Sequence, residues 1–256
     1  MLHERRKQIM DMLNTNEVVK VSELMELFHV SIETVRRDLE YLEEQELLKR
    51  VYGGAVLPQP KAIEPTYESR EVKHFQEKKA IGRAAVDLVC DEDVIAIDIG
   101  TTTLEFSRHL VGKRRVTVIT NSMKIAMVLS EDNNIRVIML GGEVRNGEFS
   151  VSGFLTGSNM KGFHVEKYFL GAGGLSVSKG VTDYHIEESN VRRIAIENSQ
   201  KVIVLSDHSK VGTVAMNRVC ELNQIDTLII DGEADEAFVG KSRDLGIEVI
   251  QVEKAE

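Results

Sequence analysis

The chain has only three prolines in 256 residues, Pro58, Pro60 and Pro65, and all of them fall inside one eight-residue window. Proline lacks the N–H that a helix or a ladder needs and holds its backbone extended. The window therefore reads as a semi-stiff linker, residues 58–67, and helices and strands elsewhere are free to run unbroken. This divides the fold into a head of residues 1–57 and a body of residues 68–256, suited to one small and one medium domain.

In the head, Leu2 to Leu13 repeats apolar residues at helical spacing. A short helix follows, Val21-Ser22-Glu23-Leu24-Met25-Glu26-Leu27-Phe28, with Ser22 expected as its N-cap. His29-Val30-Ser31 is a tight turn. Ser31 caps a second helix running to about Glu46, in which Ile32, Val35, Leu39 and Leu42 face inward. That leaves Glu33, Thr34, Arg36, Arg37 and Glu40 on the outer face. From Leu47 to Leu57, two strand-prone runs flank Gly53-Gly54, a hairpin turn signal. Helix, turn, helix and hairpin make a winged helix, whose second helix enters the major groove of DNA with its first turns against the bases. Arg36 and Arg37 are placed to grip guanine or phosphate, with Ser31, Glu33 and Thr34 beside them. Lys49 and Arg50 on one limb of the hairpin can reach the DNA backbone, and Tyr52, Gly53 and Gly54 at its tip belong to the same contact surface. Glu33 and Arg37 are also an i,i+4 pair that would brace the helix alone. Agreement of caps, spacing, arginines and hairpin selects duplex DNA over that blander reading.

Charge argues the other way. The formal net charge is −9, and the first 57 residues hold eight Lys and Arg against eleven Asp and Glu. The acids cluster at Glu40, Glu43, Glu44 and Glu46, beyond the groove-facing turns. Non-specific binding should therefore be weak, with useful affinity only from a paired site engaged by an oligomer. No apolar run reaches membrane-spanning length, and the first residues lead into an amphipathic helix, not a signal peptide. Cys90 and Cys220 sit alone in apolar surroundings and read as small buried residues of a reducing compartment, the cytoplasm. His109, His164, His185 and His208 lack metal-site spacing, and neither a metal nor another cofactor is implied.

The body opens with a long amphipathic helix expected over 68–90. Strands and helices then alternate. The strands fall at Asp93–Asp98, Arg115–Thr120, Arg136–Leu140, Val165–Leu170, Lys201–Ser206, Thr227–Asp231 and Glu248–Val252, mostly continuous Val/Ile/Leu runs suited to burial on both faces. The fold class is thus an α+β winged helix-turn-helix N-terminal domain followed by a larger α/β, mostly parallel open-sheet domain. Ligands of such sheets bind at the carboxyl ends of strands. Five consecutive strand ends here carry the residues of an anion cradle: Asp98 with Gly100, Thr101, Thr102 and Thr103; Thr120, Asn121 and Ser122; Gly141 and Gly142; Gly171 and Gly173; and Asp207 and Lys210. Glycine lets backbone N–H groups approach an anion, and a helix N-terminus favours negative charge. Asp98 and Asn121 could bond sugar hydroxyls, and His208 and Arg145 adjoin the same loops. The expected ligand is a small phosphorylated sugar or polyol; Gly-x-Gly-x-x-Gly and P-loop spacings are absent.

Over essentially its whole length the chain resembles the DeoR/GlpR-type family of bacterial transcriptional regulators. In the head the match is Val30-Ser31, Thr34-Val35-Arg36-Arg37-Asp38-Leu39, Leu42 and Arg50-Val51-Tyr52-Gly53-Gly54-Ala55. In the body it is Asp98-Ile99-Gly100-Thr101-Thr102, Thr120-Asn121-Ser122, Gly141-Gly142, Glu187-Glu188, Val191-Arg192-Arg193 and Leu205 to Lys210. The resemblance implies a repressor of a sugar-catabolic operon that binds a double-stranded operator, answers to a phosphorylated intermediate and forms a dimer or tetramer. It also adds Glu188 to the effector-site candidates.

The body of that family is similar to ribose-5-phosphate isomerase, which makes an isomerase-like enzyme with an accessory DNA-binding domain the alternative. The isomerase's acids lie in Asp-Gly-Ala-Asp-Glu, and the slot here reads Leu170-Gly171-Ala172-Gly173-Gly174. Both aspartates are absent. A look-alike, Asp231-Gly232-Glu233-Ala234-Asp235-Glu236, comes later in the chain and reads as a strand-to-helix turn. Without a positioned acid and base, proton abstraction has no agent, so no residue is assigned as catalytic.

Overall fold

The computed structural model describes residues 2–16, 18–45, 47–56 and 64–253. Glu46, Pro58 and Pro60, on which the helix end and most of the linker reading rest, lie outside the described residues.

Nine buried apolar side chains form the core of the head, among them Ile9, Leu13, Leu24, Val35, Leu39 and Leu48. They come from α1 (Leu2–Asn16), β1 (Val18–Lys20), α2 (Val21–Phe28), α3 (Ile32–Glu44) and β3 (Gly54–Val56), with Leu48 placed just before β2 (Lys49–Val51), the other limb of the hairpin. Three details differ from the sequence expectation. Ser22 does not cap α2. The helix starts at Val21, whose N–H donates to the carbonyl of Gly53 (2.8 Å), so the wing's backbone does the work of a cap. The hairpin turn is Tyr52-Gly53, with Gly53 at φ 80, while Gly54 already belongs to β3. Gly54 serves another purpose: a Cβ there would lie 2.1 Å from the carbonyl oxygen of Val19, so only glycine lets β1 pair against β3. β1 itself, three residues long, was too short to show alternation.

The body begins with α4 (Tyr67–Val72) and α5 (Phe75–Val86), not one long helix. His74 between them has φ 55, the left-handed region, which breaks the helical ladder. Then come β4 (Val94–Ile97), α6 (Thr101–Leu110), β5 (Thr117–Thr120), α7 (Met123–Leu129), β6 (Arg136–Met139), β7 (Glu143–Arg145), β8 (Ser150–Ser152), α8 (Phe154–Met160), β9 (Val165–Gly171), β10 (Gly174–Ser176), β11 (Gly180–Asp183), α9 (Ile186–Glu197), β12 (Ser199–Ser206), β13 (Asn217–Cys220), β14 (Thr227–Asp231), α10 (Glu236–Asp244) and β15 (Glu248–Val252). β5 starts two residues later than expected because Arg115 has φ 60. Cys220 is buried, but Cys90, also expected inside, is exposed after the last turn of α5.

All seven strands read from the sequence join one parallel sheet, in the order β15-β14-β12-β9-β4-β5-β6. Successive residues of a strand enter opposite cores: Ile95 and Ile97 pack with α5, α6 and α7, while Ala96 faces the other side. That two-sided burial is why the runs are continuously apolar. From β4 the chain winds outward to β5 and β6. It then returns to β9, on the other flank of β4, and continues to β12, β14 and β15. The winding direction therefore reverses between β4 and β9, and a crevice opens at such a point. The short antiparallel pieces β7–β8 and β10–β11–β13 were not expected.

Candidate functional site

The crevice is a cleft of about 700 Å³. Its floor is the turn Gly100 to Thr103 after β4 and the turn Gly171 to Gly173 after β9; Asp207, His208, Ser209 and Lys210 after β12 form one wall. Gly100 has φ 145, a conformation glycine adopts without strain, and it swings the chain straight into α6. The first N–H groups of α6, Thr101 to Thr103, thus face the cleft end of the sheet without helical partners. Thr103 bonds back to the carbonyl of Gly100 (3.1 Å). Lys210 lines the same space; its ammonium has no hydrogen-bond or ion-pair partner among the described residues, and burial lowers its pKa. Helix dipole, free amides and a lysine without a hydrogen-bond partner are groups suited to an anion, although the carboxylates of Asp207 and Asp183 also attract that lysine.

The topology does not bring all five loops together. Thr120, Asn121, Ser122, Gly141 and Gly142 follow β5 and β6, on the far side of the reversal, and none of them lines the cleft. Their chemistry is local. Thr120 Oγ1 donates to the carbonyl of Ile97 (2.8 Å), Asn121 Nδ2 to that of Val151 (3.2 Å), and Ser122 caps α7 by accepting from Ile125 N (3.3 Å). A Cβ on Gly142 would meet Thr156 Oγ1 at 1.9 Å, so that glycine makes room for α8. Glu188 is buried and accepts from Ser150 Oγ and Arg145 Nη1, both at 2.8 Å, so Arg145 is tied up there and with Glu64.

Asp98 turns away from the cleft as well. Buried, it accepts from Arg192 Nε (2.7 Å) and Gly171 N (3.2 Å), and burial, opposed by Arg192, pushes its carboxyl up to about 6. Arg192 Nη1 also pairs with Asp183 Oδ2 at 2.8 Å, though without hydrogen-bond geometry. This Asp98–Arg192–Asp183 triad lies against the Gly171–Gly173 turn. A Cβ on Gly173 would sit 3.0 Å from Asp183 Oδ2, so aspartates cannot be restored to the Gly171–Gly173 turn without displacing it.

Among the cleft residues that sequence reading missed, besides Asp183 and Arg192, are Arg70, His74 and Lys78. Lys78 had a signal. It lies in phase with Ile81 and Ala85 on the buried stripe of α5, where a solvated lysine does not belong. His208 does border the cleft. It contacts Asp231 Oδ1 through Nδ1 (2.8 Å) and packs edge-on against His74, and the Asp231 bond raises its pKa. The Asp231 look-alike segment does form a strand-to-helix turn, with Asp235 capping α10 through Ala237 N (3.2 Å), yet Glu233 and Asp235 reach the cleft rim. His208, Asp231 and Glu233 bring ligand-type atoms within 4.8 Å of one another, but Asp231 is already engaged by the N–H groups of His208 and Glu233, so the trio reads as a loop brace.

In the head, Ser31 accepts from Thr34 N (3.4 Å) and caps α3 as expected. Glu33, Arg36, Arg37 and Lys49 are exposed, and neither Arg36 nor Arg37 has a polar partner among the described residues. The Glu33–Arg37 brace is not formed. Arg50 is instead held on α3 by Glu43 (2.6 Å) and Glu40 (3.6 Å). Tyr52 stands fully exposed at the wing tip. Asp38, buried beside Arg37, is gripped by Arg5 (2.5 Å) and Arg6 (2.9 Å), fixing α3 to α1.

The DeoR C terminal sensor domain matches residues 73–232, and the DeoR-like helix-turn-helix domain matches residues 5–61. The chain is similar to the HTH-type transcriptional regulator GolR of Listeria innocua serovar 6a, 33% identical over 246 residues that make up 96% of this chain and 97% of that protein. It is 35% identical to the HTH-type transcriptional repressor GlcR of Bacillus subtilis over 253 residues (99% and 97% covered). It is 30% identical to the glycerol-3-phosphate regulon repressor of Escherichia coli K12 over 228 residues (89% and 90% covered). Among solved structures it is similar to ribose 5-phosphate isomerase A from Methanocaldococcus jannaschii, at 21% identity and a TM-score of 0.41, covering 54% of this chain and 55% of that one.

Proposed function

Since the chain belongs to the DeoR family of DNA-binding transcriptional regulators, we propose that it represses an operon for sugar catabolism, and that a small phosphorylated sugar or polyol held in the cleft controls its grip on the operator. It is a regulator and not an enzyme; Asp98 and Asp183, close to the Gly171–Gly173 turn, both pair with Arg192. Residues 1–57 bind DNA, residues 58–67 link, and residues 68–256 sense and assemble. One observation carries the effector reading: at the reversal of the sheet, the free N-terminus of α6 and the ammonium of Lys210, which has no hydrogen-bond partner among the described residues, line one cleft. A phosphate monoester matches that cradle in charge and size. The likeness to the glycerol-3-phosphate regulon repressor supports a ligand of this class.

Lys210→Ala should leave operator affinity intact while abolishing the response to the effector. Fluorescence anisotropy on a labelled operator, titrated with a panel of phosphorylated sugars and polyols that first identifies the wild-type effector, measures both. A variant that still responds like the wild type would remove Lys210 from the site.

The head's acidic balance calls for two heads on one operator, so the working form is a homodimer or tetramer in the cytoplasm. The face next to edge strand β6 supports this: Met127 of α7 and Phe154 and Leu155 of α8 are 70, 87 and 63% exposed, beside Val144 and Phe149 of the β7–β8 hairpin. Apolar exposure on this scale marks a contact surface. Phe154→Arg should shift the assembly toward monomer in light scattering and weaken operator binding in parallel; an unchanged mass would place the interface elsewhere.

A further inference from the structure

The connection from the head enters the body along the cleft wall. α4 starts two residues after Pro65, and Pro65, Ser69, Arg70, Lys73 and His74 all border the cleft. One ammonium bridges the elbow between α4 and α5. From α5, the buried side chain of Lys78 turns back across the break and donates to the carbonyl oxygens of Arg70 and, at 2.5 Å, Lys73. These are carbonyls at the end of α4 that no following turn can satisfy. An ammonium carries three protons. Two on carbonyls leave one, and the same side chain lines the cleft near Lys210. The carbonyl of Arg70 is also reached by Thr101 Oγ1 (3.5 Å), the first residue of the anion cradle. The buried Nε of Arg70 makes no hydrogen bond among the described residues, while its Nη atoms pair with Glu64 and Glu148. The end of α4 is therefore fastened by groups that a bound anion would recruit.

We propose that Lys78 is the relay between the two halves of the chain: a phosphate in the cleft draws its ammonium off the α4 carbonyls and releases the elbow that leads to the DNA-binding head. This rests on the cleft being the effector site, and adds the bond through which occupancy is passed on. Carbonyl dipoles are weak partners for a buried cation, and a phosphate dianion is a far stronger one. Burial already lowers the pKa of Lys78 to about 8, a sign that its present partners do not fully repay its desolvation. The head is close at hand, because Glu44, Gln45 and Leu47, at and just after the end of α3, border the same cleft.

Hydrogen–deuterium exchange on the full-length protein tests this, with inorganic phosphate as the probe. In wild type, phosphate should protect amides 101–104 and speed exchange at Arg70 and Lys73, whose N–H groups now bond Thr66 and Ser69, by about tenfold or more, as loss of a hydrogen bond to a charged group implies. In Lys78→Met those two amides should exchange fast with or without phosphate; in Lys78→Arg the phosphate dependence should persist. Protection at 101–104 with no change at Arg70 and Lys73 in wild type would overturn the relay alone. No protection at 101–104 would overturn the cleft reading and the relay with it. The wild-type measurement decides the matter even if Lys78→Met fails to fold.

Discussion

Arg192→Met should cost about 3–5 kcal/mol of folding stability, read as a lowered midpoint in urea denaturation at neutral pH. The guanidinium is 4% exposed and bridges carboxylates on two elements, Asp98 beyond β4 and Asp183 at the end of β11. Removing it leaves two buried acids facing each other with no cation between them. Burial already favours the neutral form of Asp98; for Asp183 burial works the same way but Arg192 overrides it and keeps the carboxyl low. Without Arg192 at least one of the two must take up a proton to remain inside. The loss should therefore shrink as pH falls. Adding Asp98→Asn and Asp183→Asn to Arg192→Met should restore much of it, because a buried ion network is worth little against a well-matched neutral one. A loss below about 1 kcal/mol for the single change would mean that the triad is hydrated and not structural.

Arg36→Ala and Arg37→Ala should each weaken operator binding by roughly 1–3 kcal/mol if the arginine reads a base, and by less, evenly across sequences, if it meets only phosphate. Both side chains are exposed in the first turns of α3 and free of internal partners, so neither change should disturb the fold. Asp38, the next residue, is the opposite case: its bonds to Arg5 and Arg6 hold α3 in place. Anisotropy at fixed salt, with matched thermal melts, separates the two roles. Unchanged affinity in the double alanine variant would mean that α3 is not the reading helix.

The contrast between Arg37 and Asp38 also shows what a sequence makes legible. The seven sheet strands and the helix-turn-helix were readable because burial imposes a period on apolar residues, and the period survives in the chain. Strand order leaves no such trace. Five strand ends looked alike, yet the reversal between β4 and β9 gathers only the loops at Gly100, Gly171 and Asp207, and leaves those at Thr120 and Gly141 to pin α7 and α8. Lys78, Arg192 and Asp38 went unread because a charged residue on a helix is ordinarily a solvated one. Each lies in phase with buried neighbours: Lys78 with Ile81 and Ala85, Arg192 with Ser189 and Ala195, Asp38 with Val35 and Leu42. A charge inside an apolar stripe was the available signal. His74 offered none, since a left-handed histidine that splits α4 from α5 is settled by packing, not by propensity.

Gly54 has a wider consequence. By admitting β1 against β3, it welds the wing to the helix that precedes the reading helix, and the opening amide of that helix hangs from the wing's own turn. The DNA-binding unit cannot flex one probe relative to the other; it is a stamp with a fixed imprint. A metabolite acting on such a tool has no means of editing which letters are printed. On the reading proposed above, it would alter only how far apart two stamps are held, and control by nutrient state would then be written in the spacer between operator half-sites, not in their sequence.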